Sequence, residues 1–98
     1  MPALDVVAVI TAKSGSEAIV EHALQVLVGH SRNDHGCVSY DLFASETTPS
    51  TFVTIEKWES QADLDAHMAS AHMAQALTAA GDHFDGFPSV HTLRPLGS

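Results

Sequence analysis

Residues 51–67 read TFVTIEKWESQADLDAH, and the change of period inside this stretch decides the fold. From Thr51 to Glu59 the residues alternate. Phe52, Thr54, Glu56 and Trp58 fall on one face of a strand, and Val53, Ile55 and Lys57 on the other. At Ser60 the pattern switches. Ser60 is a good helix N-cap with Asp63 at the N3 position. Leu64, His67, Met68 and Ala71 then share one face of the helix it opens.

Working upstream, CVSYDLFA (37–44) is a second strand-like run, with Val38, Tyr40, Leu42 and Ala44 on one face. The short loop SETTPS (45–50) joins it to the 51–59 strand, which predicts an antiparallel hairpin. Ser14-Gly-Ser-Glu17 has the form of a capping box and predicts a helix running to about Ser31. Ile19, Val20, Ala23, Leu24, Leu27 and Val28 form its apolar stripe. LDVVAVITA (4–12) is short and rich in β-branched residues, so it predicts a strand.

Downstream, Met73, Ala76, Leu77, Ala80 and Phe84 mark a further helical run, ended by Gly81, Gly86 and Pro88. SVHTLRPL (89–96) predicts a last strand. The order is β-α-β-β-α-β with the second helical unit broken in two. This is the ferredoxin-like α+β pattern, a four-stranded antiparallel sheet with its helices on one face. The 98 residues are expected to form a single domain, 1–98. The face opposite the helices would be apolar: Val7 and Val9 lie on it, with either Val53 and Ile55 or Phe52 and Trp58. Soluble monomers rarely leave such a patch in water, so a homodimer through the open sheet face is expected.

Formal net charge is −8, from 12 acids against 4 bases, and Lys13, Arg32, Lys57 and Arg94 are scattered. No basic stripe is available for nucleic acid or an anionic membrane. One cysteine, Cys37, allows no intrachain disulfide and no cysteine metal cluster. The first residues, MPALDVVAVI, lack the basic start and cleavage pattern of a secretory leader. No apolar run approaches the roughly 20 residues of a membrane span. A cytoplasmic protein is the expectation.

Glu56, Trp58 and His67 are the candidate catalytic residues. Glu56 and Trp58 stand about 7 Å apart on one strand face, and His67 sits on an apolar helix face. The plain alternative is a core tryptophan, an edge carboxylate and a histidine satisfied by a backbone carbonyl. Against it, a covered strand face would bury the Glu56 carboxylate, which then needs a partner. His67 is the natural one, and the pair would poise an imidazole for proton transfer. His67 and His72 stand five residues apart, about 140° around a straight helix, so on one straight helix they would not share an ion. His30 and His35 flank a turn with no obvious third ligand, so no metal is expected, and G-x-G-x-x-G and P-loop patterns are absent, so no nucleotide cofactor is expected. Cys37 is expected to be a packing residue, and Arg32 to complement a helix C-terminus.

EKWESQADLDAHMASAHM (56–73) resembles the signature segment of the antibiotic biosynthesis monooxygenase (ABM) family, and SRNDHGCVSYDLF (31–43) resembles its Arg-x-x-x-Gly-Cys-x-x-Tyr segment. The likeness runs from Val7 to Pro95. It implies a dimeric α+β barrel of ferredoxin-like protomers with a pocket between sheet and helices. It also implies a quinol monooxygenase-like chemistry: oxidation of a small aromatic hydroquinone, phenol or polyketide by O₂ without flavin, haem or metal. Carried over by position, Trp58 would donate its indole N–H or pack on the substrate ring. His67 would be the base, and Glu56 would orient it. Tyr40, Thr54, Leu64, Met68 and His72 would bind substrate. Thr54 stands where one polyketide branch has Asn, and Leu64 where it has Tyr. The strand-1 asparagine of the haem-degrading branch is absent from residues 6–10, and Leu77 stands near the position of that branch's iron-ligating histidine. Two other functions fit the scaffold: an acid–base isomerase of a small phosphorylated diketone, and a non-catalytic dimeric binding protein of the stress response. The isomerase would need arginine or lysine at the pocket for phosphate.

Overall fold

The computed structural model describes residues 3–97. Its elements run β1 (Leu4–Thr11), α1 (Glu17–Ser31), β2 (Cys37–Ala44), β3 (Thr51–Trp58), α2 (Gln61–Met68), α3 (Ala71–Ala80), a 3₁₀ turn (Gly81–His83) and β4 (Ser89–Leu93). The four strands form one sheet in the order β2-β3-β1-β4, and every neighbouring pair is antiparallel. The expected ferredoxin-like α+β topology is therefore observed, with the helices on one face.

The alternation in 51–58 sets which face they cover. Phe52, Thr54, Glu56 and Trp58 are all buried, while Ile55 and Lys57 are exposed. The same holds on β1, where Val6, Ala8 and Ile10 point under the helices. The core has two lobes. One packs α1 and Ala80 against Ala8, Ile10 and Phe52. The other gathers Val6, Val28, Tyr40 and Leu64 around Trp58, which is wholly buried. Burying a side chain of this size is worth roughly 1.5–3 kcal/mol or more. The opposite face carries Val7 beside Ile55, Val9 beside Val53, and Phe43 across from Val53. Of these, Ile55 and Phe43 are about half exposed, at 53% and 51%. This resolves the two alternatives for the open face: Val53 and Ile55 lie there, and Phe52 and Trp58 do not.

Four details depart from the sequence expectations. The Ser14 capping box is not formed. Gly15, at φ +87, closes a turn in which Ser16 N–H donates to Lys13 O, so α1 starts only at Glu17. Ser16 occupies the cap position, and its hydroxyl shares a hydrogen bond with His83 Nδ1 instead (3.0 Å). A β-bulge interrupts β2 between Cys37 and Ser39. Val38 is the extra residue and is exposed, while Cys37 joins Tyr40 on the inner face. Strand β4 ends at Leu93 and not at Leu96. Ile19 and Leu77, expected in the helical stripes, are half exposed.

The second helical unit breaks at Ala69–Ser70. Ser70 makes the elbow: its hydroxyl donates to His67 O (2.6 Å) and accepts from Met73 N–H (3.2 Å), ending α2 and capping α3. Ser60 caps α2 as expected, accepting from Asp63 N–H (3.1 Å). Gly36 lets the chain pass close beneath that cap. At φ +80 it tolerates a geometry other residues resist, and a Cβ there would run into the Asp63 carboxylate. No helix among the described residues is long and apolar enough to cross a membrane.

Candidate active site

Between the inner face of the sheet and the elbow of α2 and α3 lies a cavity of about 300 Å³. Its walls are mostly apolar: Ala8 and Ile10 from β1, Leu24 and Leu27 from α1, Leu64, Met68, Met73 and Leu77 from α2 and α3, and Phe84, Phe87 and Val90 from the segment that follows. Three polar side chains reach the wall, Tyr40, Thr54 and Glu56. An apolar chamber of this size with a few converging polar groups suits a small organic ligand.

The three polar groups are placed by the hairpin. Thr54, Glu56 and Trp58 follow at every second residue of β3, so their side chains rise side by side from one face. Tyr40 is directly opposite Glu56 in the β2–β3 register. The Glu56 carboxylate takes one hydrogen bond on each oxygen. Thr54 Oγ1 donates to Oε2 (2.7 Å) and Trp58 Nε1 donates to Oε1 (2.9 Å). A carboxylate that is only 5% exposed is thus held in one orientation by its strand neighbours. Each oxygen keeps a lone pair for a ligand. Burial, and then the Glu56 charge, push the Tyr40 phenol well above its ordinary pKa of 10.0, against the smaller opposing effect of the Thr54 and Ser31 hydroxyls. Tyr40 is therefore a hydrogen-bond donor at neutral pH. Burial first, then the charges of Asp34 and Glu56, likewise push the Cys37 thiol up.

A second polar cluster lies behind this wall. His67 Nδ1 donates to Asp34 Oδ2 (2.9 Å), and His72 Nε2 donates to the same oxygen (2.8 Å). The His67 ring packs at 4.7 Å from the Trp58 ring and 5.4 Å from that of Tyr40. His72 stacks on His30 at 5.7 Å. Its outer side lines a shallow groove of about 500 Å³ between α1 and α3.

The structure therefore divides the expected site residues into two groups. Tyr40, Thr54, Glu56, Leu64 and Met68 border the cavity. Trp58, His67 and His72 are not among its wall residues. His67 is not paired with Glu56, because Asp34 takes its Nδ1 and Glu56 is satisfied along its own strand. The indole N–H of Trp58 goes to Glu56 and not to a ligand. His72 and His67 come together after all: the elbow at Ala69–Ser70 removes the straight helix on which their spacing would separate them. Asp34, which reads in the sequence only as a turn residue, is the group that joins them. The one sequence signal for it was the need of a histidine on an apolar helix face for an acidic partner.

Residues 4–79 match the family model described as antibiotic biosynthesis monooxygenase. YcnE of Bacillus subtilis (strain 168), a candidate monooxygenase, is 44% identical over 48 residues, which is 49% of this chain and 50% of that protein. The chain thus spans about half the length of that curated relative, and a match to the Synechocystis protein sll1783, 33% identical, covers 33% of its length. Among solved structures, an antibiotic biosynthesis monooxygenase is 30% identical, with a TM-score of 0.88 over 96% of this chain and 99% of the other. PA3566 from Pseudomonas aeruginosa is 28% identical, with a TM-score of 0.90 over 99% of this chain and 97% of the other.

Proposed function

Because the chain belongs to the antibiotic biosynthesis monooxygenase family, we propose that it is a cofactor-independent monooxygenase or quinol oxidase. It acts on a small aromatic substrate with O₂, as a cytoplasmic, single-domain homodimer. The observation that carries this reading is the apolar cavity with Glu56 and Tyr40 on one wall. Its volume suits one or two fused rings, and its few polar groups suit a hydroxylated ring edge.

The substrate is the reductant in this chemistry. Its hydroxyl donates to a free lone pair of Glu56, and the proton passes to the carboxylate. The electron-rich anion left behind hands an electron to O₂. Thr54 and Trp58 hold the carboxylate still for that transfer, so Glu56 is the proposed base in place of His67. Tyr40 keeps its proton and donates to the oxygen on which negative charge develops. In the oxidase outcome a hydroquinone becomes a quinone and O₂ leaves as hydrogen peroxide. In the monooxygenase outcome a ring methylene becomes a carbonyl and the second oxygen atom leaves as water. His67 backs the Trp58 ring from the far side and is a positioning residue.

No lysine or arginine is among the described residues lining the cavity, which speaks against the phosphorylated substrate of an isomerase. The dimer rests on the open sheet face with Val7, Val9, Val53, Ile55 and Phe43, which a second copy would cover. Oxygen uptake with a reduced naphthoquinone and a panel of other hydroquinones and anthrones tests the activity. Wild-type protein should exceed spontaneous autoxidation on at least one of them, and the Tyr40→Phe variant should be slower. Uptake at the autoxidation rate across the panel would sink the proposal.

A further inference from the structure

The Asp34–His67–His72 cluster does more than the proposed oxidation asks of it. We propose that it is a binding site for a divalent transition-metal ion, Zn²⁺ in particular, separate from the substrate cavity. One ligand atom from each residue, Asp34 Oδ2, His67 Nδ1 and His72 Nε2, lies within 4.8 Å of the other two. The carboxylate oxygen is 2.9 Å and 2.8 Å from the two nitrogens. Ligands about 2.0–2.2 Å from one ion and adjacent around it stand roughly 3 Å apart. The ion would take the place of the two N–H protons now pointing at Asp34, standing off both N···O lines, so the imidazoles and the carboxylate turn toward it.

Two imidazoles and one carboxylate form a donor set for zinc and its first-row neighbours, not for magnesium or calcium, which favour oxygen-only ligation. Three protein ligands leave at least one position for water, as in open zinc sites.

Each ligand is fixed by its own surroundings. The His67 ring is wedged against Trp58 and Tyr40, with 1% of its side chain exposed. His72 is aimed by the Ser70 elbow and stacked on His30. Asp34 is pinned through its backbone, its N–H donating to Ser31 O (3.0 Å) and its carbonyl accepting from Cys37 N–H (3.1 Å). Its two side-chain hydrogen bonds are both to these histidines. Arg32, two residues away, is engaged by Tyr40 O and Asp41. An ion can enter from solvent, because the side chains of Asp34 and His72 are 19% and 18% exposed.

The placement gives the ion a role. Asp34 belongs to the turn after α1, His67 to the end of α2 and His72 to the start of α3. An ion there would tie the elbow to that turn. The elbow carries Leu64, Met68, Met73 and Leu77, four wall residues of the cavity. Metal binding would therefore set the shape of the chamber without touching what it holds.

The test is titration of the purified, chelator-treated full chain with Co²⁺ and with Zn²⁺. One Co²⁺ per chain should bind, with visible absorption bands of a nitrogen- and oxygen-ligated ion. Zn²⁺ should displace it. At a hundredfold excess of free Zn²⁺ over Kd, the folded-to-unfolded ratio should rise about a hundredfold in chemical denaturation. Asp34→Asn and His72→Ala should each lose the bands and the stabilisation. His72 is partly exposed, so that variant stays interpretable if the buried His67 does not tolerate replacement. His91→Ala, opposite Val7 on the open face of the sheet, should change neither. No stoichiometric binding by wild type, or bands that persist in both cluster variants, would overturn the proposal and leave a hydrogen-bonded His–Asp–His cluster only. Both readouts are independent of oxygen uptake, so they stand whether or not the proposed oxidation is found.

Discussion

Two polar clusters flank the same tryptophan and are built in opposite ways. Glu56 is satisfied by Thr54 and Trp58, each two residues away on one strand, and it faces an apolar cavity. Asp34 is satisfied by His67 and His72, 33 and 38 residues away on two helices, and it is partly open to solvent. Trp58 touches both, through its N–H on one side and its ring face on the other. The strand cluster is fixed by pleat geometry alone and holds one carboxylate in one orientation. The helix cluster is fixed only when the elbow, the turn and the core assemble. A base suits the first arrangement, and a latch between elements suits the second.

Removing what the clusters share should have the largest effect. Trp58→Ala empties a fully buried site between them and should cost about 3–5 kcal/mol of stability. Trp58→Phe keeps most of the volume but leaves Glu56 Oε1 without its donor, for about 1–3 kcal/mol. Urea denaturation followed by circular dichroism measures both, and an unchanged stability in Trp58→Phe would mean the hydrogen bond contributes nothing.

The two clusters can next be weakened one at a time. Thr54→Val removes the other donor to Glu56, and Asp34→Asn removes the acceptor charge shared by the histidines. Each should cost about 1–2 kcal/mol in the same experiment. The double variant should be close to additive if the clusters are independent, and strongly non-additive if Trp58 couples them.

The smallest effect is read at Cys37, which lies beside Trp58 and feels both acids. Burial raises its thiol above the ordinary value of 9.0, with Asp34 the larger and Glu56 the smaller of the two charge contributions. A raised pKa leaves less thiolate at neutral pH, so alkylation should be slower than for a free thiol. Its pH profile should shift to lower pH in Asp34→Asn, and by less in Glu56→Gln. The reverse order would mean that the clusters are not arranged around Cys37 as described.

The same contrast explains what could be read from the sequence. Period-2 alternation from 51 to 59 is enough to place Thr54, Glu56 and Trp58 together, and the Ser60 cap fixes where the strand becomes a helix. The order of elements followed from those local signals, while the side of the 51–59 strand that faces the helices is left between two alternatives that only the burial pattern decides. Whatever depended on distant residues did not. The pairing of His67 with Asp34 needs the turn after α1 to fold back beneath α2, and nothing local to Asn33–Gly36 announces that. The joining of His72 with His67 hangs on two hydrogen bonds of Ser70. The capping box at Ser14 failed because the Gly15 turn intervened, and the bulge at Val38 put Cys37 on the inner face, which simple alternation cannot show.

The central claim is that chemistry occurs at the cavity carboxylate and not at the histidine cluster. Oxygen-uptake kinetics on an accepted hydroquinone, comparing Glu56→Gln with Asp34→Asn, test it most directly. Glu56→Gln keeps shape and removes the base, so kcat should fall about a hundredfold or more with little change in KM. Asp34→Asn acts only through the set of the elbow, and its fall in kcat should be much smaller. A near wild-type kcat in Glu56→Gln, with the large loss in Asp34→Asn, would contradict the claim and return the role of base to His67.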